Sequence, residues 1–116
     1  MQTNDYSKIP DYLKSLPHWN LYKGDVPISP VTKIAGGQTR KELCASFEET
    51  IKLLSRKYDG LGFCFFDAGI VGIDLDTCRY PETGEISKEA LRIIRYLNSY
   101  TEISQSGYGV HIFINL

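Results

Sequence analysis

No apolar run in this 116-residue chain approaches the roughly 20 residues that a helix needs to cross a bilayer, so a membrane-spanning helix is excluded. The opening stretch MQTNDYSKIP is polar, and no secretion signal is expected from it. Cysteine is scarce: Cys44, Cys64 and Cys78 are odd in number and widely spaced, with no CxxC pair. A full disulfide framework is therefore excluded, a cysteine-rich zinc site is disfavoured, and reduced, part-buried thiols in the cytoplasm are expected. Net charge is nearly absent, with 13 Lys+Arg against 14 Asp+Glu. That excludes nucleic-acid binding by bulk positive charge, but not an enzyme whose basic groups are concentrated at one site. Repeats and low-complexity tracts are missing as well. What remains is an ordinary globular composition, 42% apolar and 23% charged, in about one domain's length of chain.

Residues 1–8 are expected to form a flexible lead-in, and 9–116 the domain proper. Ile9, Tyr12, Leu13 and Leu16 fall at helical spacing, and Pro17 ends that segment. His18 to Tyr22 alternates bulky and polar residues, as a short strand does. Pro27, Pro30, Gly36 and Gly37 make residues 24–45 a long connection. Ser46 and Glu49 form a capping box ahead of Phe47, Ile51, Leu54 and Tyr58, which predicts a helix up to Asp59-Gly60. Residues 61–66 and 70–75 are predicted strands on either side of a hairpin-sized loop. Residues 77–86 are a polar loop. Ser87 caps a helix with Ala90, Leu91, Ile94 and Leu97 inward. Two last strands, near 100–104 and 109–115, are joined by Ser-Gly-Tyr-Gly. This order predicts an α+β fold, a mostly antiparallel sheet packed with helices.

Asp74 and Asp76 flank Leu75 at the end of an otherwise apolar strand. Residues two apart on a strand point to one face, so the two carboxylates repel each other. Mg²⁺ or Mn²⁺ relieves that repulsion and prefers oxygen ligands, commonly one or two carboxylates plus substrate phosphates. A strand that simply ends near Ile73, leaving both aspartates solvated, accounts for the same residues.

The second constellation runs from Ser104 to His111. Ser104, Ser106, Gly107 and Gly109 present hydroxyls and unhindered backbone N–H groups, which suit phosphate oxygens. His111 opens the final strand on the side opposite Ile112 and Ile114, where an imidazole N–H can reach a phosphate. A plain Ser/Gly turn followed by a histidine at a strand start fits equally. The two constellations together are more specific than either, and outline a metal–triphosphate site on a sheet surface.

Gly60-Leu-Gly-Phe-Cys-Phe, Val71-Gly-Ile-Asp-Leu-Asp-Thr-Cys and the segment from Ser99 to Ile114 resemble the N-terminal primase–polymerase domain of phage and plasmid replication proteins, in the archaeo-eukaryotic primase superfamily. Pro17-His-Trp-Asn-Leu-Tyr-Lys and Val26-Pro-Ile-Ser-Pro fit the opening of that family, so the likeness spans roughly residues 9–116. It implies an RRM-like catalytic sheet and metal-dependent nucleotidyl transfer from nucleoside triphosphates on a single-stranded DNA template, in the cytoplasm of a bacterial host. Under it, Asp74 and Asp76 match the metal-binding acids, His111 the nucleotide-contacting histidine, and Ser104, Ser106 and Gly107 the phosphate-side loop. A helicase domain or another replication protein is the implied partner.

The chain departs from that pattern in three places. Gln105 replaces the proline of an S-P-S-G loop, and Asp25 stands where a basic residue precedes V-P-x-x-P, with Lys23 nearby. A third acidic motif, expected on a strand beyond the histidine, is not reached by Leu116; Asp67 and Glu102 are spare acids that do not match it. The expectation is accordingly the front half of a primase-type core, truncated at its C-terminus, or a naturally short relative. The rival expectation is a non-catalytic module that binds single-stranded DNA, a replication partner, or another copy of itself through an open C-terminal strand. Most of Trp19, Tyr22, Phe63, Phe65 and Phe66 are read as core, His18 as structural or surface, and Lys33, Arg40 and Lys41 as solvated.

Overall fold

The computed structural model describes residues 6–116. Of the predicted flexible lead-in, residues 1–5 lie outside the described ones, and Tyr6–Lys8 form a 3-10 turn. The chain divides into two compact units, an N-terminal one ending at Ala68 and a C-terminal one formed by Gly69–Leu116. Each contains helices and antiparallel strands, so the protein is α+β as predicted.

In the N-terminal unit, α1 (Asp11–Lys14) precedes β1 (Trp19–Lys23), β2 (Val26–Ile28), α2 (Phe47–Leu53) and β3 (Gly60–Phe63). The sheet order is β2-β1-β3, with Leu21 of β1 opposite both Ile28 and Leu61. The connection 24–45 is more ordered than composition implied. It contains β2, a bridge between Ile28 and Ala35, and a 3-10 turn at Lys41–Leu43. Helix α2 begins as predicted: Ser46 Oγ accepts the Glu49 N–H at 3.1 Å and donates to Glu49 Oε1 at 2.9 Å. It stops earlier than its apolar spacing indicates, because Leu54 turns extended and Asp59 N–H is already donating to Tyr22 O on β1. Tyr58 thus lies beyond the helix.

Leu13 and Leu21 are fully buried here, and Trp19 packs edge-on against Phe47 and Phe63 while its indole N–H donates to Leu13 O. His18 is buried, its Nδ1 2.8 Å from Cys64 O and its ring stacked on Phe66, which bears out a structural role.

The C-terminal unit runs β4 (Ile70–Leu75), β5 (Arg79–Tyr80), β6 (Glu85–Ile86), α3 (Lys88–Leu97), β7 (Thr101–Ile103) and β8 (Val110–Asn115). The β4-β8-β7 sheet is antiparallel throughout, and β5 and β6 form a small ladder inside the predicted loop 77–86. Ser87 caps α3 by accepting the Ala90 N–H at 3.2 Å. Of the predicted inward set only Ala90 is fully buried; Leu91, Ile94 and Leu97 are half-buried.

Two expectations are corrected. Strands β3 and β4 are not partners in a hairpin: β3 pairs with β1 and β4 with β8. The final strand is not open either. It is the centre of its sheet, paired by β4 on one side and β7 on the other, so self-association through a free β8 edge has no unpaired backbone to use.

Candidate active site

One register decides the geometry. Asp74 on β4 and Glu102 on β7 each stand directly opposite His111 on β8. Directly opposed residues share a face, with Cβ atoms roughly 5 Å apart. Three side chains from three strands therefore form a row: Asp74 Oδ1 is 3.5 Å from His111 Nε2, and Glu102 Oε1 is 3.7 Å from His111 Nδ1. The Tyr100 hydroxyl donates to the other oxygen of Glu102 at 3.1 Å. Asp76 lies one residue past β4, close enough for its charge to act on the same imidazole.

The row has one buried side beneath it. Ile112 and Val110, which point the opposite way, are almost completely covered, while the His111 side chain remains 38% exposed and Asp74 58% exposed. The face is not uniformly open, since Phe113, two residues on from His111, is buried beside the Tyr100 ring. The aspartates do not end a buried strand as their neighbours implied. Val71, Gly72 and Asp74 are exposed on β4, an edge strand, and Asp76 is exposed just past it, so mutual repulsion rather than desolvation is what a cation would relieve here.

The Glu102 carboxylate is the main reason His111 holds its proton above the usual imidazole range. Partial burial opposes this, and the charges of Asp74, Glu102 and Asp76 reinforce it. The sign follows by linkage. A raised folded pKa contributes stability that is fully present below the ordinary value near 6.5 and is lost as pH rises through the folded value. In chelator, the thermal midpoint of the wild type is expected to fall more steeply than that of His111→Gln as pH rises through that window. The difference will be small because the imidazole is more than a third exposed. Parallel midpoint–pH curves for the two proteins would refute the assignment.

The Ser104–Gly109 hairpin is held by its own groups. Ser104 Oγ accepts the Gly109 N–H at 3.0 Å and lies 3.1 Å from Ser106 Oγ, which accepts the Tyr108 N–H. Gly107 N–H donates to Ser104 O. The amides of Gly107, Tyr108 and Gly109 are thus committed inside the turn, Ser104 is buried with its hydroxyl engaged there too, and only the Ser106 hydroxyl is exposed to a phosphate. Gly107 takes a φ of +84°, which favours glycine in this tight turn. Gly109 is needed for a different reason: its backbone passes so close to β4 that a Cβ would lie 2.5 Å from Leu75 O.

Sequence reasoning passed over Arg79 at this site and held Glu102 only as a spare acid. Arg79 on β5 donates Nη1 to Gly107 O at 2.9 Å, while Cys78 and Arg79 N–H groups both donate to Tyr108 O, so a guanidinium stands at the hairpin. Glu102 matched no motif, yet strands ending at 104 and beginning at 109 around a symmetric turn already pair 102 with 111. Counting back from the turn would have found it. Cys78 donates its thiol toward Leu75 O, and Asp67 belongs to the N-terminal unit.

In kind, the oxygen donors of Asp74 and Asp76 suit Mg²⁺ or Mn²⁺ with water and phosphate completing the shell. Among the described residues, no three His, Cys, Asp or Glu side chains come close enough together to hold a metal ion by themselves. No family model matches this chain, and no curated protein matches it.

Proposed function

We propose that this chain is a primase–polymerase-type nucleotidyltransferase domain of a phage or plasmid replication protein, binding a nucleoside triphosphate with Mg²⁺ or Mn²⁺. The observation that carries the reading is the register of Asp74 and His111 on one exposed face, with Asp76 beside them. Asp74 and Asp76 would hold the cation, whose chemistry is to neutralise charge on the transferred phosphoryl group. His111 stands between two carboxylates, Nε2 toward Asp74 and Nδ1 toward Glu102, and when protonated it would donate from Nε2 to a phosphate held by a cation beside Asp74. Ser106 offers an exposed hydroxyl from the adjoining hairpin, which Ser104 braces from within, and Arg79 adds the positive charge that the chain otherwise lacks in bulk. Glu102 supplies a third carboxylate on the same face, from the strand before the histidine rather than one beyond it. Single-stranded DNA, a helicase domain and a bacterial cytoplasm belong to this reading. No helix among the described residues is long and apolar enough to cross a membrane.

Calorimetric titration of the full chain with dATP and Mn²⁺ tests it. Wild type is expected to bind in the micromolar to millimolar range, and Asp74→Ala/Asp76→Ala and His111→Ala to lose at least ~10-fold, about 1.4 kcal/mol. Equal binding by all three proteins, or none by the wild type, defeats the proposal.

A second reading, a non-catalytic module that binds single-stranded DNA or a replication partner, is favoured by the inward commitment of the hairpin amides. Template-dependent primer extension by residues 1–116 would exclude it.

A further inference from the structure

The N-terminal unit brings two of the three thiols together. Cys44 Sγ donates to Cys64 Sγ at 3.1 Å, and the two residues are 8% and 3% exposed. A disulfide is about 2.05 Å long, so the sulfurs stand roughly 1 Å short of bonding distance.

The approach is built into the backbone. Ala45, next to Cys44, exchanges both backbone hydrogen bonds with Trp19. Cys64 donates its N–H to His18 O at 2.7 Å, and its own carbonyl lies 2.8 Å from His18 Nδ1. His18, just before β1, and Trp19, its first residue, thereby hang the two cysteines side by side.

We infer that Cys44 and Cys64 are a redox modification site, a dithiol that hydrogen peroxide converts to an intramolecular disulfide and that thiols restore. Cys44, 8% exposed against 3% for Cys64, is the sulfur that peroxide reaches first, and burial raises both thiols above their usual range. The Cys44 thiolate attacks one peroxide oxygen and the O–O bond breaks, giving a sulfenic acid and, after protonation, water. The Cys64 thiolate then attacks the Cys44 sulfur and expels the sulfenic oxygen as a second water. Two thiols are oxidised and one peroxide is reduced. The loop so closed contains α2 and β3, and the bond ties both to the start of β1.

The experiment uses the full chain, reduced, freed of reductant and exposed to hydrogen peroxide. The expected product is about 2 Da lighter, the loss of two hydrogens, and yields a Cys44–Cys64 crosslinked peptide while Cys78 still alkylates. Its thermal midpoint should rise by on the order of 10 °C and return with dithiothreitol, in wild type and Cys78→Ala alike. An unchanged mass, added oxygen on Cys44 or Cys64, a dimer linked through Cys78, or a lowered midpoint would each overturn the inference. None of these readouts depends on nucleotide binding.

Discussion

Gly109→Ala is expected to destabilise the C-terminal unit by about 3 kcal/mol, read as a shifted urea midpoint at unchanged slope. The added Cβ would meet Leu75 O at 2.5 Å and the Asp76 Cα at 3.4 Å. The first is backbone and cannot rotate away. Relief requires the end of β4 to separate from the start of β8, which is where Asp74 and His111 face each other. The variant should therefore also disturb the imidazole, visible as a changed His111 ring signal by NMR. Gly69→Ala is the matched control. Gly69 has a φ of +70° but open space around it, so its cost is conformational alone, about 1 kcal/mol, and the His111 signal should stay where it is. Equal costs at the two glycines would show that the close approach at Gly109 has been misread.

Ile112→Ala should cost about 2–5 kcal/mol, through the cavity left by a side chain with no exposed surface. Ile112 sits between Ile73 on β4 and Thr101 on β7, on the face of β8 away from the imidazole. His111→Ala, one residue away on the half-exposed face, removes a side chain whose partners are two partly exposed carboxylates, and is expected to cost under about 1 kcal/mol. The two substitutions divide the strand by role: one unfolds the unit and the other leaves it folded while removing the site. A His111→Ala protein that melts as readily as Ile112→Ala would mean that the row of three side chains is part of the core, and the proposed function would lose its main support.

The same strand shows how far local pattern carried. Alternation in β8 put Ile112 inside and His111 outside, because side chains alternate across a strand wherever it lies. The caps at Ser46 and Ser87 were equally legible, since each is a contact three residues long. Helix α2 was over-extended because its spacing does not know that Asp59 is claimed by Tyr22. Residues 61–66 and 70–75 looked like a hairpin because a short loop lies between them, and nearness along the chain is a poor guide to which strand bonds which.

Local chemistry, then, settled the element types, the caps, the turn at Gly107 and the presence of two acids, two serines and a histidine in the segments that form the site. Strand choice was settled by long-range hydrogen bonding: β4 taking β8 for its partner set Asp74 against His111, brought in Glu102, and enclosed β8. The meeting of Cys44 with Cys64 came the same way, through separate backbone bonds to one strand. Such pairings join residues tens of positions apart, and the free energy that selects among rival partners is spread over whole sheets, so no short stretch of residues carries it.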